Sequence, residues 1–128
     1  LQPIAEAFNA RANVLWEMGK GEAALADFSE AIERNPRYTL AYLNRGKLRY
    51  QMGMEWAALE DFSAAVRNDP NNPECLIKRG SLYLVLEAPQ KAIADLRKAL
   101  RVAPANWRLR SDAEKYLKRA ESLSGEEE

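Results

Sequence analysis

Three stretches decide the fold: AALADFSEAIERNP (23–36), AALEDFSAAVRNDP (57–70) and KAIADLRKALRVAP (91–104). They align without a gap, and each ends in a proline that lies 34 residues from the next one. Counted from the alanine that is the second residue of each stretch, apolar residues recur one, four, seven and eight positions later. This spacing is the apolar stripe of an α-helix. Proline ends each helix because it disfavours the α conformation of the residue before it. The spacing therefore predicts a tandem helical repeat.

A second apolar helix is predicted before each of these stretches. The three segments are IAEAFNARANVLWEM (4–18), LAYLNRGKLRYQM (40–52) and ECLIKRGSLYLVL (74–86). Gly46 and Gly80 recur in them at one phase, where the first segment has Ala12. A glycine costs an exposed helix about 1 kcal/mol relative to alanine. Its recurrence therefore indicates a close contact with a neighbouring helix, which only a small residue permits.

The predicted fold is all-α, an α-solenoid of three antiparallel helix–turn–helix repeats with a period of 34 residues. The repeats span about 5–38, 39–72 and 73–106, within a single domain over 1–123. Gly19 and Gly53 are expected to form the turns of the first two repeats, and the third has Glu87 in that place and Pro89 at the start of its second helix.

The chain is predicted to end in a capping helix over 107–123, because a solenoid needs a polar element at its exposed end. Asn106 is the expected N-cap and Gly125 the expected C-terminal stop. In repeat phase the residues that face the stack are Trp107, Ala113 and Leu117. Residues 124–128 are predicted to be a disordered tail.

The repeat resembles the tetratricopeptide repeat, which has this period, two helices and a closing proline. The resemblance rests on the second helices: Ala24, Phe28, Ala31 and Pro36 fit the family pattern, as do Ala58, Phe62, Ala65 and Pro70, and Ala92, Ala99 and Pro104. The first helices depart from it. Arg11, Arg45 and Arg79 occupy a position that is usually leucine. The resemblance implies a protein-binding module with a concave groove lined by the first helix of each repeat.

The charges balance, with 19 basic and 19 acidic residues, which argues against a nucleic-acid partner. The distribution is uneven: residues 1–35 carry three basic and six acidic groups, and residues 91–123 carry nine basic and four acidic groups. Carboxylates such as Asp27, Glu30 and the Glu60–Asp61 pair are predicted to lie on solvated helix faces.

Catalytic chemistry is not expected. The chain has no histidine, so the commonest general base and metal ligand are missing, and neither an enzymatic activity nor a cofactor is predicted. The single cysteine, Cys75, excludes an internal disulfide and is expected to be a buried, inert thiol. A reducing, cytoplasmic compartment is compatible with this. No apolar run approaches the roughly 18–20 residues that span a bilayer, so no membrane partner is expected.

The phase of the first helices identifies the side chains that would line a groove. The ten candidate peptide-binding residues are Asn9, Asn13, Trp16, Leu43, Asn44, Lys47, Tyr50, Ile77, Lys78 and Ser81. The same phase also places Glu6, Glu17, Leu40, Glu74 and Leu84 on this face. Amide and lysine side chains can hold the backbone and carboxylates of a peptide, and aromatic side chains can anchor apolar ones.

Several alternatives remain open. The first is self-association through Leu40, Leu43 and Ile77, which would make a homo-oligomer. The second is nucleic-acid binding through the basic stretch that starts at Arg97. Because the chain begins with Leu1 rather than methionine, we expect a fragment or a processed chain, and it could be an accessory domain of a larger enzyme.

A further alternative comes from the resemblance. Some tetratricopeptide domains clamp the carboxylate of a chaperone's acidic C-terminal tail, of the Hsp70 or Hsp90 kind. Asn13, Asn44 and Lys78 match positions of that clamp. Asn9 replaces a lysine and Glu74 replaces a basic residue, so the resemblance implies an incomplete clamp.

Overall fold

The computed structural model describes residues 2–125, which form seven α-helices and no strand. The helices are α1 (Gln2–Glu17), α2 (Gly21–Arg34), α3 (Thr39–Gln51), α4 (Glu55–Asn68), α5 (Pro73–Val85), α6 (Pro89–Val102) and α7 (Arg110–Ser124). The predicted all-α fold is confirmed, and the first six helices are the three predicted pairs. A short turn joins the two helices of each pair, which makes them antiparallel.

The turns within the pairs use the left-handed backbone conformation. Gly19 has a φ of 78° and Gly53 a φ of 82°, as expected for the residue after a helix end. Glu87 has the same conformation in the third pair, with a φ of 61°. A side chain with a β-carbon pays a steric cost there that glycine avoids. The third turn therefore keeps the shape of the other two at a local energetic cost.

The helices group into two compact units, separated between Asn68 and Asp69. Unit 1 contains α1–α4, in which α1 packs on α2, α2 on α3 and α3 on α4. Unit 2 contains α5–α7, in which α5 packs on α6 and α6 on α7. None of the seven described helices is long and apolar enough to cross a membrane.

The small residues of the repeat lie where two helices touch. Ala12, Ala24 and Phe28 are buried in a cluster of unit 1 that also contains Leu48 of α3. A β-carbon added at Gly46 would lie 2.6 Å from Cε1 of Phe62. The close contact predicted from the recurring glycines is therefore confirmed, and it recurs at Gly80, where a β-carbon would lie 2.9 Å from Cγ of Leu96.

Each helix pair carries a salt bridge between an arginine of its first helix and an aspartate of its second. The pairs are Arg11–Asp27 (2.6 Å), Arg45–Asp61 (2.8 Å) and Arg79–Asp95 (2.8 Å). In all three, both carboxylate oxygens accept hydrogen bonds from one guanidinium. The three aspartates are buried.

This arrangement corrects the prediction that Asp27 and Asp61 lie on solvated faces. A buried carboxylate is stable when it is paired, and the arginine that replaces the family's usual leucine supplies the partner. The prediction holds for Glu60, which is exposed, whereas Glu30 is half-buried and paired with Arg34 at 2.8 Å.

The last helix begins later than predicted, at Arg110 rather than near 107, and Asn106 is not its N-cap. The reason is the side chain of Arg110, which donates hydrogen bonds to the backbone oxygens of Leu100, Ala103 and Pro104. Leu100 lies in the last turn of α6, and Ala103 and Pro104 directly follow that helix, so the segment before α7 forms a turn around the helix end.

The predicted contacts of the last helix with its neighbour are confirmed. Ala113 is buried in the core of unit 2, and Trp107 and Leu117 pack against that core. Gly125 has a φ of 85° and ends the helix as expected. Ser124 belongs to α7, which corrects the predicted start of the disordered tail. Residues 126–128 of that tail lie outside the described residues.

Candidate functional site

A cleft of about 720 Å³ lies within unit 1. The end of α1, the turn that follows it, the start of α2 and the end of α3 form its walls. The lining residues are Asn13, Trp16, Glu17, Gly19, Gly21, Glu22, Leu48, Gln51 and Met52. Its volume is in the range of pockets that take small ligands, roughly 300–1,000 Å³. The cleft is thus large enough for several side chains of a bound peptide.

Trp16, one of these lining residues, is held in place by two contacts. Its indole Nε1–H donates a hydrogen bond of 2.6 Å to Oε1 of Gln51, which joins α1 to α3. Its ring also meets the ring of Phe28 edge to face, with centroids 6.2 Å apart and an interplanar angle of 89°. Aromatic side chains fixed in this way are effective anchors for a ligand because binding orders them little further.

Two carboxylates, Glu17 and Glu22, stand beside the apolar lining. Neither forms a salt bridge within residues 2–125, and both are exposed. Asp27 and Glu30 of α2 differ from them, because each is already paired with an arginine. The cleft therefore combines an apolar wall with negative charge that the described part of the chain does not neutralise.

Of the predicted groove residues in unit 1, only Asn13 and Trp16 line this cleft. Asn9, Leu43 and Asn44 are buried. The Nδ2 amide of Asn44 donates a hydrogen bond of 3.2 Å to Oδ1 of Asn9, so the two asparagines pair between α1 and α3. They hold the helices together and have little surface for a ligand.

Tyr38 lies near this asparagine pair and near Glu6 of α1. Burial and the nearby carboxylate of Glu6 raise the pKa of this phenol above its usual value of 10.0. The phenol therefore stays protonated and neutral near physiological pH. Beyond this group, Lys47 is half-buried and Tyr50 is 44% exposed on α3.

The predicted groove residues of unit 2 differ in how far they are buried. Ile77 is only 3% exposed and belongs to the hydrophobic core of the unit, so it offers little surface to a ligand or to a second copy of the chain. Lys78 and Ser81 are half-buried, and the hydroxyl of Ser81 donates a hydrogen bond to the backbone oxygen of Lys78. Glu74 pairs with Arg108 at 2.6 Å.

Sequence reasoning missed most of the cleft lining, above all Gly21, Glu22, Leu48, Gln51 and Met52. Repeat phase selects residues on one helix face, whereas this cleft lies where the end of α3 meets the turn between α1 and α2. The signal available in the sequence was the short Gly19-Lys20-Gly21 turn. Because glycine has no side chain, such a turn leaves open space beside it.

The structure gives a physical reason for an unreactive cysteine. Cys75 is fully buried in α5, and its burial raises the pKa of the thiol from 9.0 to about 12. The carboxylates of Asp69 and Glu74 act in the same direction. The thiolate, which is the nucleophile, is therefore disfavoured near neutral pH. Over residues 2–125, no cluster of three or more acidic, histidine or cysteine side chains could hold a metal ion.

The tetratricopeptide repeat family model matches residues 9–73 and 56–107, which together cover most of the chain. This chain belongs to the tetratricopeptide repeat (TPR) family. The period, the helix pairs and the small residues at helix contacts are the TPR pattern that the sequence resembles. A search of curated protein sequences found no match.

Solved TPR structures share the fold over nearly the whole chain. The first TPR domain of Spaghetti (RPAP3), bound to the HSP90 peptide SRMEEVD, has a TM-score of 0.87 at 18% identity, over 98% of this chain and 96% of that one. The TPR2B domain of yeast Sti1, in complex with pHsp70, has a TM-score of 0.84 at 18% identity, over 92% of this chain and 96% of that one.

A third similar structure is the type III secretion chaperone SycD of Yersinia enterocolitica, in complex with a peptide of the translocator YopD. Its TM-score is 0.81 at 18% identity, over 96% of this chain and 94% of that one. Identities this low show a common fold and leave the ligand of this TPR domain to be argued from its own residues.

Proposed function

We propose that this TPR domain is a protein-interaction module that holds an extended peptide, or a segment of a partner protein, against helices α1 and α3 of unit 1. The observation that carries the proposal is the cleft in which Asn13 and Trp16 meet Leu48, Gln51 and Met52. It offers a fixed aromatic ring, an apolar wall and amide groups that can hydrogen-bond a peptide backbone. A single short peptide would bind there in the micromolar range, with a free energy of about −8 kcal/mol.

The solved structures support a role of this kind. Three similar TPR proteins were captured with a peptide or protein partner: an HSP90 peptide, pHsp70 and a peptide of YopD. Their partners differ from one another, so the shared fold supports binding in general. Lys47, Tyr50, Lys78 and Ser81 remain predicted contacts for the parts of a partner that extend beyond the cleft.

A substitution that fills the cleft tests the proposal. Peptides would be selected from a displayed random library on the purified protein, and their affinities measured by calorimetry for wild type and for Asn13→Arg. The arginine would occupy the cleft and lie one helical turn from Glu17, so we expect a loss of affinity of about tenfold or more. The matched control is Asn71→Arg, the same substitution at an exposed position before α5 and outside the cleft lining.

The two variants distinguish a loss of binding caused by filling the cleft from a loss caused by any added arginine. Binding lost in Asn13→Arg and kept in Asn71→Arg supports the cleft, provided that circular dichroism shows both variants folded. Equal binding by all three proteins would contradict the site. A library that yields no binding peptide would contradict the proposed function itself.

Binding of an acidic chaperone tail is the second candidate, because Asn13, Asn44 and Lys78 occupy clamp positions. The geometry in unit 1 weakens this candidate, since the amide of Asn44 is buried and already bonded to Asn9. We therefore expect the peptide SRMEEVD to bind less tightly than the peptides selected above. Tight binding that is lost in Lys78→Ala would support the clamp instead.

The module that we propose acts by binding alone and has no catalytic role. The suppressed ionisation of Cys75 supports this, because that thiol is the strongest nucleophile available in the chain. Its partner is a protein or peptide, with neither a cofactor nor a nucleic acid.

A further inference from the structure

We propose that the cleft of unit 1 prefers a peptide that carries a lysine or arginine beside a large apolar residue. This inference rests on the proposed function and adds to it the chemical class of the residue that is recognised. It is the opposite of the charge preference that an acidic chaperone tail requires.

The apolar wall suits the aliphatic part of such a side chain. Trp16, Leu48 and Met52 line one continuous cleft, and the hydrogen bond to Gln51 keeps the indole fixed. Lysine and arginine pack their methylene groups on apolar surface while the charged head reaches solvent. The ring of a tryptophan also attracts a cation that lies near its face. Methionine adapts its shape to different partners, which suits a neighbouring apolar side chain of the peptide.

The carboxylates of Glu17 and Glu22 supply the complementary charge. They line the cleft from the end of α1 and the first turn of α2, on both sides of the turn. Within residues 2–125, neither forms a salt bridge. Lys20 is the single basic residue of this turn; it is exposed and makes no salt bridge with them. The turn therefore keeps a negative excess, which attracts a cationic side chain and repels a carboxylate.

Three matched peptides test this preference. Each has the same leucine-containing sequence around one central position, which is lysine, glutamine or glutamate. Titration into the ¹⁵N-labelled protein would be followed at the indole N–H signal of Trp16, assigned with a Trp16→Phe variant. We expect the lysine peptide to bind roughly fivefold more tightly than the glutamine peptide at low salt, and the glutamate peptide to bind least tightly. Added salt should reduce the difference.

Two charge-removing variants identify the carboxylates responsible. The double variant Glu17→Gln, Glu22→Gln keeps the shape of the cleft and should bind the lysine and glutamine peptides about equally. The control is Glu33→Gln, Glu60→Gln, which removes the same charge at exposed positions outside the cleft lining. It should keep the wild-type preference for lysine.

The outcomes distinguish the two proposals. A shift of the Trp16 signal with all three peptides at equal affinity, or with the glutamate peptide most tightly bound, would overturn the charge preference and leave the proposed function standing. No shift with any of these peptides, together with failure of the library selection, would overturn both. A lysine preference that persists in Glu17→Gln, Glu22→Gln would also contradict the inference, because another group would then select the charge.

Discussion

Helices α1–α3 of unit 1 and helices α5–α7 of unit 2 share one arrangement, in which a helix pair packs on the next helix of the chain, but different residues fill it. Where unit 1 has Asn9, which pairs with Asn44, unit 2 has the buried Ile77. Where unit 1 has Trp16 in a cleft, unit 2 has Leu84 packed against its core. One backbone pattern thus accommodates a buried polar pair and a cleft in the first unit, and apolar side chains in or against the core in the second.

The turn between α1 and α2 also differs from the turn between α5 and α6. Unit 1 uses Gly19 and Gly21, which leave space in the cleft, whereas unit 2 has Glu87 and Pro89 at the corresponding positions. The comparison indicates that the residues at fixed repeat positions decide whether a helix pair borders a cleft or packs against a core. Substitutions that exchange residues between the units, or compare equivalent ones, test this directly.

The largest effect is expected for Asp61→Ala in unit 1. Asp61 accepts hydrogen bonds from both Arg45 and Arg49, and its side chain is only 3% exposed. Removing it leaves two guanidinium groups without their carboxylate in a largely buried site. We expect a loss of about 3 kcal/mol in the free energy of unfolding, measured by urea denaturation.

The stability lost on removing the equivalent aspartates should decrease as the paired arginine becomes more exposed. In unit 2, Asp95 pairs with Arg79 alone, at 22% exposure of the arginine side chain, so Asp95→Ala should cost about 2 kcal/mol. Arg11 is 66% exposed, so Asp27→Ala should cost the least of the three. Equal losses at the three positions would contradict the role given to burial.

A loss of about 2 kcal/mol is expected for Asn9→Ile, which places the residue of unit 2 in unit 1. The amide of Asn44 would stay buried without its partner. The double variant Asn9→Ile, Asn44→Leu should recover part of the stability, because both polar partners are then removed. An Asn9→Ile protein as stable as wild type would show that the pair contributes nothing.

Alkaline pH should destabilise the chain through Cys75 of unit 2. Because the folded pKa of about 12 lies above the unfolded value near 9.0, the stabilisation is complete below pH 9 and is lost as pH rises towards 12. Between these values the free energy of unfolding should fall more steeply with rising pH than it does in Cys75→Ala. Alanine is the buried residue of unit 1 at this position, Ala41. Parallel pH profiles would contradict the burial of the thiol.

The smallest effect is expected for Glu87→Gly, which gives unit 2 the turn residue of unit 1. The left-handed conformation of Glu87 is strained, and glycine removes the strain but adds freedom to the unfolded chain. The net result should be a gain of about 0.5 kcal/mol in thermal or chemical unfolding. A loss of stability would show that the glutamate side chain makes a contribution larger than the strain.

The repeat period predicted the helix pairs, their turns and the close contacts at Gly46 and Gly80, because these features depend on local pattern and recur three times. The buried salt bridges also recur, with each arginine sixteen residues before its aspartate. They escaped prediction because a charged residue on an amphipathic helix is usually solvated, and pairing between helices decides its burial.

The cleft could be predicted only in part, since it depends on where the end of α3 meets the turn after α1. Repeat phase found Asn13 and Trp16, which project from α1, but not Leu48, Gln51 or Met52 of α3 and its C-terminal cap. Repeat phase also did not predict the residue at which α7 begins. Its position follows from the contacts of Arg110 with the end of α6, which no helix propensity encodes.

The most direct test of the account compares two indole signals in one NMR titration with a library-selected peptide. Trp16 lines the cleft of unit 1, whereas Trp107 packs against the core of unit 2. We predict that the Trp16 signal shifts with the peptide and that the Trp107 signal does not, and that Asn13→Arg abolishes the shift. A titration that moves Trp107 and leaves Trp16 unchanged would contradict the assignment of binding to unit 1.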